Sequence, residues 1–396
     1  MEQARLRQGH RKSRNGCAVC KRRHIKCDER RPKCGNCNIS DRPCHYVAPK
    51  KAKAGANKYE KELTTSAWLQ TAANSTETPS PASPDLHLVE SDDLFTFEHL
   101  NLLNHFQVNM VELMMVTDQL KPVANIYITS AFKTPYLMNQ LLALSALHIR
   151  TITPGLSDWY TQTATHLQHR ALRGFNNALH DTSDSNATSQ FLFSSLLALH
   201  YLAETVVDVP DQDFPSILRH ILEYLRLQRG ARIMGDRAWP TFSTSMLQES
   251  LVAAINTEPE VEHKPPDSCS LISAMLQTSE LNRESLIACE DAREALGFAR
   301  RRLRDMGVHA LIAWPNLIPP RFLTLLEKQI PEALVILAHF AVLLHDYRAF
   351  WCFGRMGEKL VNGIETLLVT YWTTWLPRLD VETRVDPELA RARDVS

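Results

Sequence analysis

Six of the nine cysteines fall within 28 residues, spaced C-x2-C-x6-C-x6-C-x2-C-x6-C at Cys17, Cys20, Cys27, Cys34, Cys37 and Cys44. The spacing repeats itself, because Cys17/Cys20/Cys27 and Cys34/Cys37/Cys44 are internally identical. Two equal half-sites of three thiols point to a two-metal site with pseudo-twofold symmetry. A tetrahedral zinc takes four ligands, so two zinc ions need eight ligand positions. Six thiolates fill eight positions when two of them bridge, and the symmetric choice is the first cysteine of each half, Cys17 and Cys34. One ion is then expected on Cys17, Cys20, Cys27 and Cys34, and the other on Cys17, Cys34, Cys37 and Cys44. Such a cluster carries net negative charge, and Lys21, Arg22, Arg23, Lys26, Arg30, Arg31 and Lys33 supply cations beside it.

A disulfide framework would need an oxidising compartment. Residues 1–14 are basic and polar with no apolar stretch, unlike a secretory signal. The cysteine-rich segment also has too few apolar residues for its thiols to be core packing. Zinc is the reading that survives. The stretch Arg14-Asn-Gly-Cys-Ala-Val-Cys-Lys-Arg-Arg-His-Ile-Lys-Cys-Asp-Glu, with Pro32-Lys33-Cys34 and Cys37 to Cys44, resembles the fungal Zn2Cys6 binuclear cluster of DNA-binding transcriptional regulators. The resemblance implies that Cys17 and Cys34 bridge and that Pro32 turns the chain between the halves.

The overall charge is zero, but its distribution is lopsided. Residues 1–58 hold 17 Lys/Arg against 4 Asp/Glu, leaving 27 against 40 in the remainder. A basic head on an acidic body fits binding to nucleic acid. Short helices are expected at 18–24 and 35–39, after the first cysteine of each half. Only the first is cationic, so a helix over 18–26 is expected to enter the major groove of double-stranded DNA. Arg14, Lys21, Arg22, Arg23, His24 and Lys26 are the candidate contacts, to phosphates and to guanine edges. In well-known members of the resembled family a lysine near the end of this helix reads a CGG-type triplet. His24 stands there instead, which shifts base contact toward Arg22 and Arg23.

Residues 1–14 read as a disordered basic arm, 15–47 as the zinc module and 48–93 as a disordered linker rich in Ser, Thr and Pro. The basic runs also suit nuclear import. No sustained heptad follows the module, so a dimer through a coiled coil at this place is not expected. Residues 94–396 change character, with apolar residues at helical spacing over 94–117, 135–151, 157–180, 188–207, 214–234, 283–306, 331–353 and 357–375. The fold expected is therefore a small Zn2Cys6 module, a disordered linker and a large all-α regulatory domain with a polar break near 256–267. Leu94 to Phe106, Leu141 to His148, and Ala338 to His345 with Trp351, Gly354 and Gly357 resemble the fungal-specific transcription factor domain, in its sterol-uptake-control-type variant. That likeness implies a regulatory domain able to hold a hydrophobic ligand.

No apolar run approaches the roughly 18–20 residues of a membrane span, so no membrane partner is expected. Cys269, Cys289 and Cys352 read as buried structural thiols, and the pairs His339/His345 and His166/His169 lack partners at metal-ligand spacing. No nucleophile elbow, Walker loop or dinucleotide fingerprint occurs, so no enzyme is expected. The expectation is a nuclear transcription factor bound to DNA and the transcription machinery, activating a pathway-specific gene set such as a secondary-metabolite cluster. Two alternatives stay open at this point. One is a sterol- or lipid-responsive regulator; the other is a zinc-stabilised interaction module that does not read DNA. Dimerisation through the helical domain is also open.

Overall fold

Cysteine opens each of two five-residue helices, α1 (Ala18–Arg22) and α2 (Gly35–Ile39), and these two with their loops form the metal module. The computed structural model describes residues 15–46, 95–114, 121–181, 183–207, 213–242, 267–368 and 370–379. The basic arm, the expected linker and most of the polar break therefore lie outside the described residues. After the module the chain runs through α3 (Phe97–His105), a π-helical turn (Phe106–Met110) and α4 (Val111–Met114). Next come α5 (Lys121–Ala131), α6 (Pro135–Ile152), α7 (Ser157–Ala178), α8 (Asp184–Val207) and α9 (Phe214–Phe242). The C-terminal half holds α10 (Asp267–Gln277), α11 (Arg283–Met306), α12 (Val308–Leu317), α13 (Pro320–Glu327), α14 (Pro331–Asp346), α15 (Met356–Leu367) and α16 (Thr370–Thr373). Among the described residues there is no strand.

Two helices are apolar nearly all round and are buried accordingly. In α6 every residue from Tyr136 to His148 is buried, and α7, α8 and α3 cover it. In α14 the run from Glu332 to Ala341 is buried, beneath α15, α11 and α10. Aromatic stacking marks the two centres. Phe175 lies over Phe193 at 4.2 Å with Tyr136 edge-on to both, and Trp314 lies over Phe340 at 4.0 Å with Phe322 edge-on. Buried area of this size is the dominant favourable term in holding helices together.

The expected helices at 135–151, 188–207 and 283–306 appear at or close to those limits. The first expected helix is interrupted by the π turn, and α14 stops at Asp346, before the expected 353. Ser157 is the first helical residue of α7, and Pro331 opens α14 at N1, where proline's missing N–H costs nothing. The helices α5, α10, α12 and α13 were not foreseen. α12 has no polar face to give a period and carries Pro315 inside it. Cys269, Cys289 and Cys352 are buried, and burial pushes the Cys289 and Cys352 thiols up. His339 is buried and bonds the Trp375 carbonyl at 3.0 Å through Nε2. No single described helix is long and apolar enough to cross a membrane.

Gly357, in the first turn of α15, lets two backbones meet. A Cβ there would collide with the Ala341 carbonyl and the His345 N–H of α14. At Gly230, in α9, a Cβ would meet nothing. Thermal unfolding should therefore separate the two positions. Gly230→Ala should stabilise by about 0.5–1 kcal/mol through helix propensity alone. Gly357→Ala should lower the midpoint because α15 must move off α14.

Candidate metal centre and nucleic-acid interface

The first cysteine of each half caps its own helix. Cys17 is the N-cap of α1 and its Sγ accepts the Cys20 N–H at 3.3 Å; Cys34 caps α2 and accepts the Cys37 N–H at 3.4 Å. This is why two residues separate the cysteines in each pair: N-cap and N3 lie on the same side of a first helical turn. The third cysteine of each half closes the loop in the same way. Cys27 Sγ accepts the Cys17 N–H at 3.4 Å, and Cys44 Sγ accepts the Cys34 N–H at 3.3 Å. The twofold repeat of the sequence is thus a twofold repeat of hydrogen bonds.

These caps turn all six sulfurs inward. Two sets of four, Cys17/Cys20/Cys27/Cys34 and Cys17/Cys34/Cys37/Cys44, each have their sulfurs within 4.8 Å of one another. Cys17 and Cys34 belong to both. Sulfur–sulfur separations are 3.7 Å for Cys17–Cys34 and 3.6 Å for both Cys17–Cys37 and Cys20–Cys34. A zinc ion ~2.3 Å from each sulfur gives a tetrahedron with an edge of about 3.8 Å, so the donor set fits the metal. Without a cation the grouping is uncomfortable. Burial, followed by hydrogen bonds from and charges on neighbouring thiols, pushes Cys20 and Cys37 up, and burial pushes Cys34 up. Cys17 is the exception: burial opposes its ionisation, but the Cys20 N–H and surrounding thiols bring it down to about 6.

The outward face is basic. Lys21, Arg22, Arg23, His24 and Lys26 are all exposed, whereas Arg14 lies outside the described residues. Helix α1 is shorter than expected. It ends at Arg22, with Arg23 as its cap, because His24 adopts a left-handed conformation at φ 54°. The His24 N–H bonds the Lys21 carbonyl and the Ile25 N–H bonds the Cys20 carbonyl, the paired closure of a Schellman end. His24 and Lys26 therefore sit on the loop beyond the helix. Arg23 is steadied across the halves by Ser40 Oγ at 3.2 Å. The Arg31–Pro32 peptide is cis.

Comparison with known proteins now bears on this geometry. Residues 15–53 match the fungal Zn(2)-Cys(6) binuclear cluster domain and residues 101–253 match the fungal specific transcription factor domain. The chain belongs to the fungal Zn(2)-Cys(6) transcription factors. A Zn(2)-C6 fungal-type transcription factor of Aspergillus fumigatus is 27% identical over 353 residues, covering 85% of this chain and 86% of that protein. The aspercryptin biosynthesis cluster-specific regulator of Emericella nidulans is 24% identical over 268 residues, 62% of this chain and 40% of that protein. Sterol uptake control protein 2 of Candida albicans is 56% identical over 41 residues, 10% of this chain and 6% of that protein, so that likeness is confined to the zinc cluster. The regulator's cluster domain binds two zinc ions, and the chain is a DNA-binding transcription regulator, not an enzyme.

Several residues that position this regulator's cluster carry no motif of their own. Asp28 accepts the Gly35 N–H through Oδ1 and Oδ2, at 3.1 and 3.0 Å, and so locks the loop after Cys27 to the start of α2. A Cβ on residue 35 would stand 2.8 Å from Asp28 Oδ2, which explains the glycine. Asn36 Nδ2 donates to the Lys26 carbonyl at 2.6 Å, and Tyr46 donates to the Arg30 carbonyl at 2.7 Å. The module is also seated on the helical domain. Asp41, only 2% exposed, meets Asn282, Arg321 and Lys328, and Arg42 meets Glu332. Asp28→Ala should leave two zincs per chain but weaken their retention about tenfold or more in a chelator competition, as loss of a ligand-orienting contact does elsewhere.

Proposed function

We propose that Cys17, Cys20, Cys27 and Cys34 hold one zinc and Cys17, Cys34, Cys37 and Cys44 the other, with Cys17 and Cys34 bridging. The observation that supports this most is the overlap of the two sulfur sets at these two residues and no others. The metals have a structural task. They fix two five-residue helices that are too short to be stable alone, and so hold the basic loop around the end of α1 in one shape.

On this reading Lys21, Arg22, Arg23, His24, Lys26 and Arg14 form the DNA-binding face. The exposed cations release counterions from phosphates, giving salt-dependent affinity. Arg23, restrained by Ser40, loses less freedom when it meets a guanine edge and is the first choice for base contact. His24 projects from the left-handed turn that ends α1, where it reaches a phosphate or guanine N7. The module occupies residues 15–47, a linker 48–93, and the regulatory domain 94–396. The protein acts in the nucleus as an activator of a pathway-specific gene set. The aspercryptin cluster regulator among its relatives makes a secondary-metabolite cluster the first choice of pathway.

Two measurements test this. Metal analysis should find two zincs per chain, falling toward none in Cys17→Ala and to about one in Cys44→Ala, since only the first residue is shared. One zinc in the unaltered protein would remove the bridged arrangement. Selection from a random DNA pool should enrich a single sequence with the unaltered protein, and the enrichment should vanish in the Arg22→Ala/Arg23→Ala double variant with zinc content unchanged. A zinc-loaded protein that enriches nothing would instead be an interaction module.

A further inference from the structure

Asp41 occupies, in the second half, the position that His24 occupies in the first. Each lies seven residues past the first cysteine of its half, each has left-handed φ (52° and 54°), and each closes its helix in the same way. The Arg42 N–H bonds the Cys37 carbonyl as the Ile25 N–H bonds the Cys20 carbonyl. The equivalent turns have different surroundings. His24 is exposed, whereas Asp41 is inserted into the helical domain between the start of α11 and the ends of α13.

The socket is polar throughout. The Asp41 carbonyl accepts the Asn282 N–H and Nδ2, both at 2.9 Å, and Oδ1 accepts Nδ2 at 3.2 Å. Arg321 reaches Oδ1 at 2.7 Å and Lys328 reaches Oδ2 at 3.4 Å. Next to it Arg42 pairs with Glu332 at 3.1 Å, and Ser279 donates to the same carboxylate at 2.7 Å. Three buried atoms of this junction, Arg42 Nε, Arg321 Nε and Glu332 Oε2, have no hydrogen-bond partner among the described residues. A cleft of about 270 Å³ opens beside Arg42 and Glu332. Buried ions with incomplete partners contribute little net stability, since desolvation offsets their attraction. The seat is specific in its charges yet weakly held.

The same docking engages the DNA face. Arg22 Nη2 pairs with Glu280 Oε1 at 3.0 Å. A phosphate bound by Arg22 would lie well within the roughly 8–10 Å over which charges act at ordinary salt, and so would be repelled by Glu280. We propose that Asp41 and Arg42 form a latch that holds the zinc module on the helical domain, where Glu280 competes with DNA for Arg22. DNA binding then favours the released module, and whatever loosens the socket raises affinity. This rests on the DNA-binding reading above.

The test uses the full zinc-loaded chain and the duplex enriched by selection. Asp41→Asn removes the charge and keeps a residue tolerant of left-handed φ. Arg321→Gln opens the socket without altering the module. Glu280→Gln removes the competitor alone. Glu280→Gln should tighten binding roughly two- to fivefold at low salt, the range of one exposed ion pair, and the gain should fade as salt rises. Asp41→Asn and Arg321→Gln should tighten it at least as much with zinc content unchanged. Unchanged or weaker binding in both socket variants would overturn the latch, because it would mean that the helical domain presents the module correctly. Failure of every protein, unaltered and variant, to bind the duplex would overturn the DNA reading and the latch with it.

Discussion

Like charge crowded into a small volume is the constraint on which the module depends. Backbone N–H groups that each half supplies in the same order gather six sulfurs into two overlapping sets, each within 4.8 Å. Those N–H groups orient the sulfurs but cannot neutralise them, and three of the thiols are pushed up by burial as a result. Divalent cations resolve the conflict. Once they do, a segment with almost no apolar core becomes a fixed surface, and every statement about which side chains face DNA follows from that rigidity.

The site was far more legible in the sequence than its setting. Cysteine spacing reports ligand geometry directly, because two residues separate N-cap from N3 in any helix, and the expectation that Cys17 and Cys34 are shared came from counting ligand positions. Amphipathic helices such as α7 and α11 show their period because one face meets water. Helix α12 has no such face, and α13 is only one face deep between two proline-bearing starts, so neither announced itself. The early end of α1 was hidden for another reason. A left-handed histidine is uncommon, and nothing in Lys-Arg-Arg-His-Ile-Lys demands it. The contacts of Asp41 depend on residues more than 240 positions away and have no local signature at all.

The two halves show how an internal repeat can diverge without losing its frame. Cysteines, caps and closing turns are held in common, since any change there would shift a sulfur. The residue at each left-handed turn contributes no sulfur and is free to differ. One half displays a cluster of cations around that turn; the other places an acid there and directs it to the body of the same chain. The run Gly-Asn-Cys-Asn-Ile-Ser of the second half carries no charge and offers a polyanion little, whereas Asp41 just beyond it meets the cations Arg321 and Lys328 of the body.

The seat of Asp41 also bears on exchangeability. A metal-bound head of this kind looks like a detachable reader that could be transplanted onto another regulator by joining chains at the linker. Here the reader and its body are matched through Asp41 and Arg42 on one side and Asn282, Arg321, Lys328 and Glu332 on the other. A chimera carrying a foreign module would leave a buried glutamate and two cations opposite side chains never shaped to meet them. In this chain, domain borders drawn by sequence similarity are not borders of independent parts.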